Sequence, residues 1–315
     1  MRVATIQCAS QPADAAANLA TMRTLVAQAA AARADFAIFP ECNLSGYWFL
    51  RNLDERALRA LAEPLPDGPS ARAVARMARE TGMSIGAGLI EAAPDGRLFN
   101  SYFVAMPDGG FARHRKLHAF EHDAISSGDS YTVFEDPHGI TAGILICYDN
   151  NIIENPRATA LAGARLLIAP HQTGGCRTAN PHLLGLIERR LWDDRARDPA
   201  ALRAEFLGDK GRGWLMRWLP SRAHDNGIFV AFSNGVGIDD DEIRPGHAMV
   251  VDPYGRILAE CDALGGGMAV ADLDLALLEH ATGAEWMLAR RPELYAPLTV
   301  PTGRERSARE MKFRQ

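Results

Sequence analysis

Along this chain, short unbroken apolar runs alternate with longer stretches in which apolar residues recur at every third or fourth position. RVATIQCA, from Arg2, is a β-branched run and predicts a buried strand. Pro12 to Ala32 is Ala-rich, with Leu19, Met22, Leu25 and Val26 at helical spacing, and predicts an amphipathic helix. DFAIFPE, ending at Glu41, predicts a second strand that stops at Pro40. Ser70 to Thr81 predicts a helix, and MSIGAGLIE, from Met83, a strand. LFNSYFVAM and GFARHRK flank the turn PDGG and predict a hairpin. GITAGILIC predicts a strand ending at Cys147, Pro156 to Gly163 a helix, and ARLLIAP a strand. GIFVAFSN, HAMVVDP, GRILAE and GGMAVADL complete the series, with Gly265 to Gly267 as a turn.

Early alternation of strand and helix, followed by hairpins, predicts an α/β chain with a mixed sheet, or two sheets face to face, and helices outside. No fixed-period repeat, low-complexity tract or linker interrupts it. Residues 177–217, rich in charge and Trp, read as a surface insertion: a lid, a subunit contact or a solvated helical hairpin. Residues 301–315 are basic and polar and read as a tail, or an arm on a neighbour.

Composition narrows the class. Of 315 residues, 47% are hydrophobic and 23% charged, enough apolar content for a sizeable core. The net charge of −5 argues against non-specific nucleic-acid binding, which needs clustered Lys and Arg. Five cysteines, odd in number and without a C-x-x-C pair, predict neither a disulfide framework nor a zinc ribbon, and no histidine pattern suggests a metal. No phosphate-cradling loop suggests a nucleotide, so no cofactor is expected. No run approaches the ~20 apolar residues of a membrane helix, and no secretory signal opens the chain. Reduced cysteines then predict a cytoplasmic protein.

Taken alone, Cys147 reads as a core thiol, because free cysteine is among the most buried residue types. Its company changes that reading. Glu41 closes one apolar run, and Lys116, followed by Glu121, closes another. Functional groups gather at the carboxyl ends of strands in α/β sheets, so a carboxylate, an ammonium and a thiol could meet at one rim.

With these residues the chain resembles the nitrilase, or carbon–nitrogen hydrolase, superfamily. The matching segments are FPECNLSGY around Glu41, HRKLHAFE with Lys116 and Glu121, and CYDNNIIENPR from Cys147, supported by LPSRAHDNGIFVAFSN, DPYGRIL and RRPELY. The resemblance runs from Val3 to about Leu298. It implies a four-layer αββα sandwich of two mixed β-sheets with outer helices. It also implies a single hydrolase domain over residues 1–300 and a homodimer formed through outer helices.

The activity implied is cleavage of the C–N bond of a small linear amide, without metal or cofactor. Cys147 would be the nucleophile and Glu41 the general base. Lys116 and the Tyr148 N–H would hold the oxyanion, with Glu121 orienting Lys116 or the substrate nitrogen. N-carbamoyl hydrolysis, nitrile hydrolysis, acyl transfer and a catalytically idle scaffold remain rivals. Ile152 and Ile153 stand where the family commonly has an aromatic and a proline, which leaves the substrate open. Asn43, Tyr47, His171, Gln172 and Thr173 are candidate substrate contacts; Trp48 is a possible pocket wall and Arg177 a possible partner for a carboxylate. Cys8, Cys42 and Cys261 read as buried thiols, with Cys42 on the face opposite Glu41 if the strand continues. His224 and Asp225 read as structural.

Overall fold

The computed structural model describes residues 1–178 and 182–313. Its strands are β1 (Arg2–Cys8), β2 (Phe36–Ile38), β3 (Ser84–Ala92), β4 (Leu98–Ala105), β5 (Phe111–Arg115), β6 (Ile125–Ser126) and β7 (Thr132–Asp136). They continue with β8 (Ile140–Ile144), β9 (Leu166–His171), β10 (Phe229–Asp239), β11 (Glu242–Pro245), β12 (Met249–Val251), β13 (Ile257–Glu260) and β14 (Gly267–Asp272). The helices are α1 (Ala15–Ala31), α2 (Glu55–Leu61), α3 (Pro69–Thr81), α4 (Glu154–Leu161), α5 (Arg189–Asp193), α6 (Pro199–Leu207), α7 (Arg212–Leu215), α8 (Leu219–His224), α9 (Thr282–Leu288) and α10 (Ala308–Lys312). No helix among the described residues is long and apolar enough to cross a membrane.

One mixed sheet runs β5-β4-β3-β2-β1-β10-β9-β8-β7. From β3 to β8 the neighbours on this path are parallel, and antiparallel hairpins close both edges. The alternation of side chains along a strand explains how each strand is covered on both faces. In β9, Leu166 and Ile168 join Val3, Phe36, Ile38, Tyr102, Ile144 and Phe229 in one apolar cluster. Leu167 and Ala169 point the other way, into a cluster with Leu219 and Ala223 of α8. Ala4, Ile6, Ala37 and Ile85 pack similarly against Met22, Leu25 and Val26 of α1 and Val74 and Met77 of α3. Burial of each large apolar side chain is worth roughly 1.5–3 kcal/mol.

Asp14 caps α1 by accepting the Ala17 N–H at 2.9 Å, and Gly82 ends α3 in the left-handed region at φ +72°. Because β2, β8 and β9 are parallel and β5 runs with them, their carboxyl ends share one rim.

Two expectations change. The insertion is no solvated hairpin: Leu202 and Phe206 of α6 are buried with Ile187, Val236 and Ile243, so it packs on the β10–β11 extension. Its residues 179–181 lie outside the described residues. The tail packs on its own chain, with Ala308 in a cluster with Tyr47, Trp48 and Phe120; its last residues, 314 and 315, also lie outside.

Candidate active site

β2 ends at Ile38, and the chain turns sharply, with Cys42 at φ +48°. That turn lies directly on β3. Asn43 Oδ1 accepts the Gly88 N–H at 2.9 Å, and the Leu44 N–H reaches the Gly88 carbonyl at 3.0 Å. A Cβ on Gly88 would stand 2.5 Å from the Cys42 nitrogen, so only glycine lets the strand approach so closely. Cys42 therefore does not face away from Glu41 as an extended strand would require: its Sγ lies 3.3 Å from Asn100 Oδ1. Asn43 is buried as a clamp on this turn and does not line the cavity described below.

Behind the turn is a fully buried polar cluster. Lys116, one residue beyond β5, donates to Glu41 Oε1 at 2.7 Å and to Glu121 Oε1. Asn100 of β4 bridges the same two carboxylates, with Nδ2 2.7 Å from Glu41 Oε1 and 3.0 Å from Glu121 Oε1. Glu121 Oε2 accepts the Phe120 N–H, whereas Glu41 Oε2 is buried with no hydrogen-bond partner. Burial pushes the Glu41 carboxyl up to about 7; Lys116 opposes this and the charge of Glu121 adds to it. Burial works to lower the pKa of Lys116, but Glu121 and Glu41 outweigh it and hold the ammonium well above its ordinary range.

β8 stops at Ile144, short of the expected strand end, and Cys147 opens a tight turn over Cys147–Asn151. Cys147 has φ +48°, a left-handed conformation unusual for a residue with a Cβ and often found where a side chain must be aimed. Burial pushes its thiol well up, and Glu41 adds to the rise; Lys116 and the Gln172 N–H pull it down. Cys147 therefore rests as a thiol and needs a base to become a nucleophile.

Asp149 ties this turn to the lysine. Its carboxylate accepts the N–H groups of Leu117 at 3.1 Å, His118 at 2.9 Å and Ile146 at 3.2 Å, and contacts His118 Nδ1 at 3.0 Å. These partners, with His114, overcome the penalty of burial and hold Asp149 well below the usual carboxylate range. Arg222 of α8 donates to the Asn150 carbonyl at 2.7 Å and braces the turn from the other side.

A cavity of about 640 Å³ opens over Cys147, lined by Tyr47, Trp48, Phe120, Tyr148 and Trp214 among others. Gln172 and Thr173 line it too, and Gln172 Nε2 donates to the Glu41 carbonyl at 2.9 Å. His171 does not reach it. Its ring packs on Phe232 and Trp218, with centroids at 4.8 and 5.6 Å, and burial drives its pKa down to about 3.

Sequence reading missed Asn100, Arg244 and Lys312. Asn100 is a polar position inside the strand run LFNSYF, a detectable signal. Arg244, fully buried between Asp239 and Glu242, and Lys312 reach the cavity only through long-range packing. Asp149 stands in the motif at Cys147, but its bracing role depends on contacts with residues 114–118.

The carbon–nitrogen hydrolase family model matches residues 2–282. The chain is 31% identical over 304 residues to a Pseudomonas protegens protein described as a hydrolase in the pqqF 5′ region, covering 95% of this chain and 92% of that one. It is 30% identical to an (R)-stereoselective amidase of a Pseudomonas species, covering 82% of this chain and 80% of that one. Among solved structures, an amidase from Nesterenkonia matches with a TM-score of 0.67 at 22% identity, over 95% of this chain and 96% of that one. On this sequence match and this shared architecture, the chain belongs to the carbon–nitrogen hydrolase family.

Proposed function

We propose that this protein is an amidohydrolase that cleaves the C–N bond of a small linear amide through a thioester on Cys147, releasing ammonia and a carboxylic acid. The observation that carries this reading is the asymmetry of the two buried carboxylates: both oxygens of Glu121 are engaged, while Glu41 keeps Oε2 free. A base whose pKa is raised to about 7, near a resting thiol, is suited to take the proton as sulfur attacks. Glu41 removes the Cys147 proton, Sγ adds to the amide carbon, and Lys116 Nζ with the Tyr148 N–H holds the oxyanion. Glu41 then passes the proton to the departing nitrogen, ammonia leaves, and water activated by Glu41 hydrolyses the thioester. Glu121 and Asn100 orient Lys116 and keep it charged.

Names of relatives support the reaction class: an (R)-stereoselective amidase, and a mouse omega-amidase 28% identical over 256 residues. The Nesterenkonia amidase has been captured with butyramide and with an acetamide moiety added at its active-site cysteine. The apolar cluster shared by β1, β2 and β4 with β8, β9 and β10 supports a four-layer αββα sandwich, its sheet halves face to face and helices outside. We read residues 1–300 as a single hydrolase domain carrying the insertion at 177–217, with 301–315 as its tail, in a cytoplasmic homodimer. Exposed Trp286, Leu288, Leu294 and Leu298 are candidate apolar contacts for the second copy.

The test is mass spectrometry after mixing with a panel of amides, with ammonia and CO2 measured together. An acyl adduct on Cys147 and ammonia without CO2 are expected. CO2 release would favour an N-carbamoyl substrate, acid formed directly from a nitrile a nitrilase, and trapping of the acyl group by hydroxylamine in preference to water an acyltransferase. No adduct and no turnover across a broad panel would leave a catalytically idle scaffold.

A further inference from the structure

The Cys42 thiol is fully buried, does not line the cavity, and touches the residue that joins the two carboxylates. Cys42 follows Glu41 directly, and the left-handed turn there brings its Sγ within 3.3 Å of Asn100 Oδ1. Burial pushes this thiol well above its ordinary range, and the charges of Glu41 and Glu121 add to the rise. Cys42 therefore keeps its proton and stands as a donor.

Asn100 needs that donor. Its Nδ2 lies 2.7 Å from Glu41 Oε1 and 3.0 Å from Glu121 Oε1, so both amide hydrogens are engaged by carboxylates. Turning the amide over would set its oxygen against two carboxylate oxygens. The orientation that remains leaves Oδ1 as a buried acceptor, and the Cys42 S–H satisfies it. A donor on an amide oxygen also polarises the amide and strengthens the bonds that its N–H groups make. The main chain of Asn100 is tied to the same cluster, because its carbonyl accepts the Lys116 N–H at 2.9 Å.

We infer that Cys42 is a positioning residue for the proposed reaction: its thiol holds the Asn100 amide, and through it Glu41 by Oε1, so that Oε2 is left free as the base. The inference rests on the amidohydrolase reading and gives Cys42 no contact with substrate. The titratable groups around Glu41 are Lys116, Glu121, Cys42, Tyr47 and Cys147. Burial raises the Glu41 carboxyl, and the Asn100 hydrogen bond is among the contacts that oppose it. A loosened Asn100 therefore lets Glu41 rise further.

The test reads the base without turnover. Alkylation of Cys147 by iodoacetamide, followed by mass spectrometry of its peptide, is measured against pH in the wild type, Cys42→Ala and Cys42→Ser. The wild-type rate should climb as Glu41 titrates at about 7. In Cys42→Ala the midpoint should move up by about half a pH unit, a roughly threefold loss of rate at pH values below it. Cys42→Ser keeps a donor and should restore the midpoint. A loss of packing alone would slow alkylation equally at every pH. An unmoved midpoint in Cys42→Ala, or a shift that serine does not reverse, overturns the inference. A second measurement uses the wild-type fold: the infrared S–H stretch that vanishes in Cys42→Ser should lie below the frequency of a free thiol, and a free-thiol frequency overturns the inference. Ammonia release across the amide panel is followed alongside. Its absence with the midpoint shift intact removes the amidohydrolase reading, whereas its presence with an unmoved midpoint removes only the role of Cys42.

Discussion

Behind the cavity Glu41, Lys116 and Glu121 are fully buried, whereas at its mouth the Arg177 side chain is 74% exposed. There one ammonium stands between two carboxylates, with Asn100 bonded to both. A mispaired group there would cost several kcal/mol, so each partner constrains the others. At the mouth, exposed or half-buried cations and stacked rings make weaker contacts that solvent can replace. On the proposed mechanism the chemistry rests on the rigid buried groups, and ligand contacts on the replaceable mouth.

The comparison breaks most visibly at Cys147. Cys147→Ala is expected to abolish ammonia release and leave the melting temperature nearly unchanged, because only one small atom is lost. Turnover above background would remove the thiol from the mechanism. Next comes Lys116→Ala, which should cost on the order of 3–4 kcal/mol of transition-state stabilisation, read as kcat/KM. It also leaves two buried carboxylates without their cation, so the fold should lose on the order of 3–5 kcal/mol in denaturant titration. A rate loss below about tenfold would exclude Lys116 as the oxyanion donor.

pH sharpens the same contrast. With Glu41 raised to about 7, kcat/KM should fall about tenfold per unit as pH drops below that value. The sign for stability is the reverse. The folded state holds this proton more tightly than the unfolded chain does, so the Glu41 contribution is complete below about pH 4.5 and is lost as pH rises through about 7. Glu41→Gln should flatten that decline. Asp149, held low by its donors, behaves oppositely: its contribution is present above the ordinary aspartate pKa near 3.8 and is lost as pH falls below it. Asp149→Asn should therefore lower stability at neutral pH by about 1–3 kcal/mol, with the deficit closing in acid; an equal deficit at pH 3 and pH 7 would contradict this. The smallest expected effect is at the mouth. Phe313→Ala removes one stacked ring from Trp48 and should raise KM about two- to tenfold with little change in kcat.

Much of the site was legible in the chain. Glu41 and Cys147 each follow a short apolar run, Lys116 follows the hairpin strand FARHR with Glu121 five residues on, and strand ends in an α/β sheet converge. Two of the candidate contact residues do not line the cavity, for local reasons. Asn43 turns back to clamp Gly88, and His171 still belongs to β9, so strand alternation sends its ring into the aromatic layer with Phe232. Cys42 would lie on the far face of an extended strand, but the chain turns after Pro40, with Cys42 in the left-handed region.

What the sequence determined by itself was the order of strands and helices and the chemical groups at the strand ends, because periodicity and motifs are local properties of the chain. Tertiary structure alone decided which oxygen of which carboxylate stays free, how Asp149 binds the lysine segment to the cysteine turn, and that Lys312 reaches Trp48 across nearly the whole chain. Those outcomes depend on distances between segments remote in sequence, and such distances exist only once the sheet has assembled and its packing has excluded water.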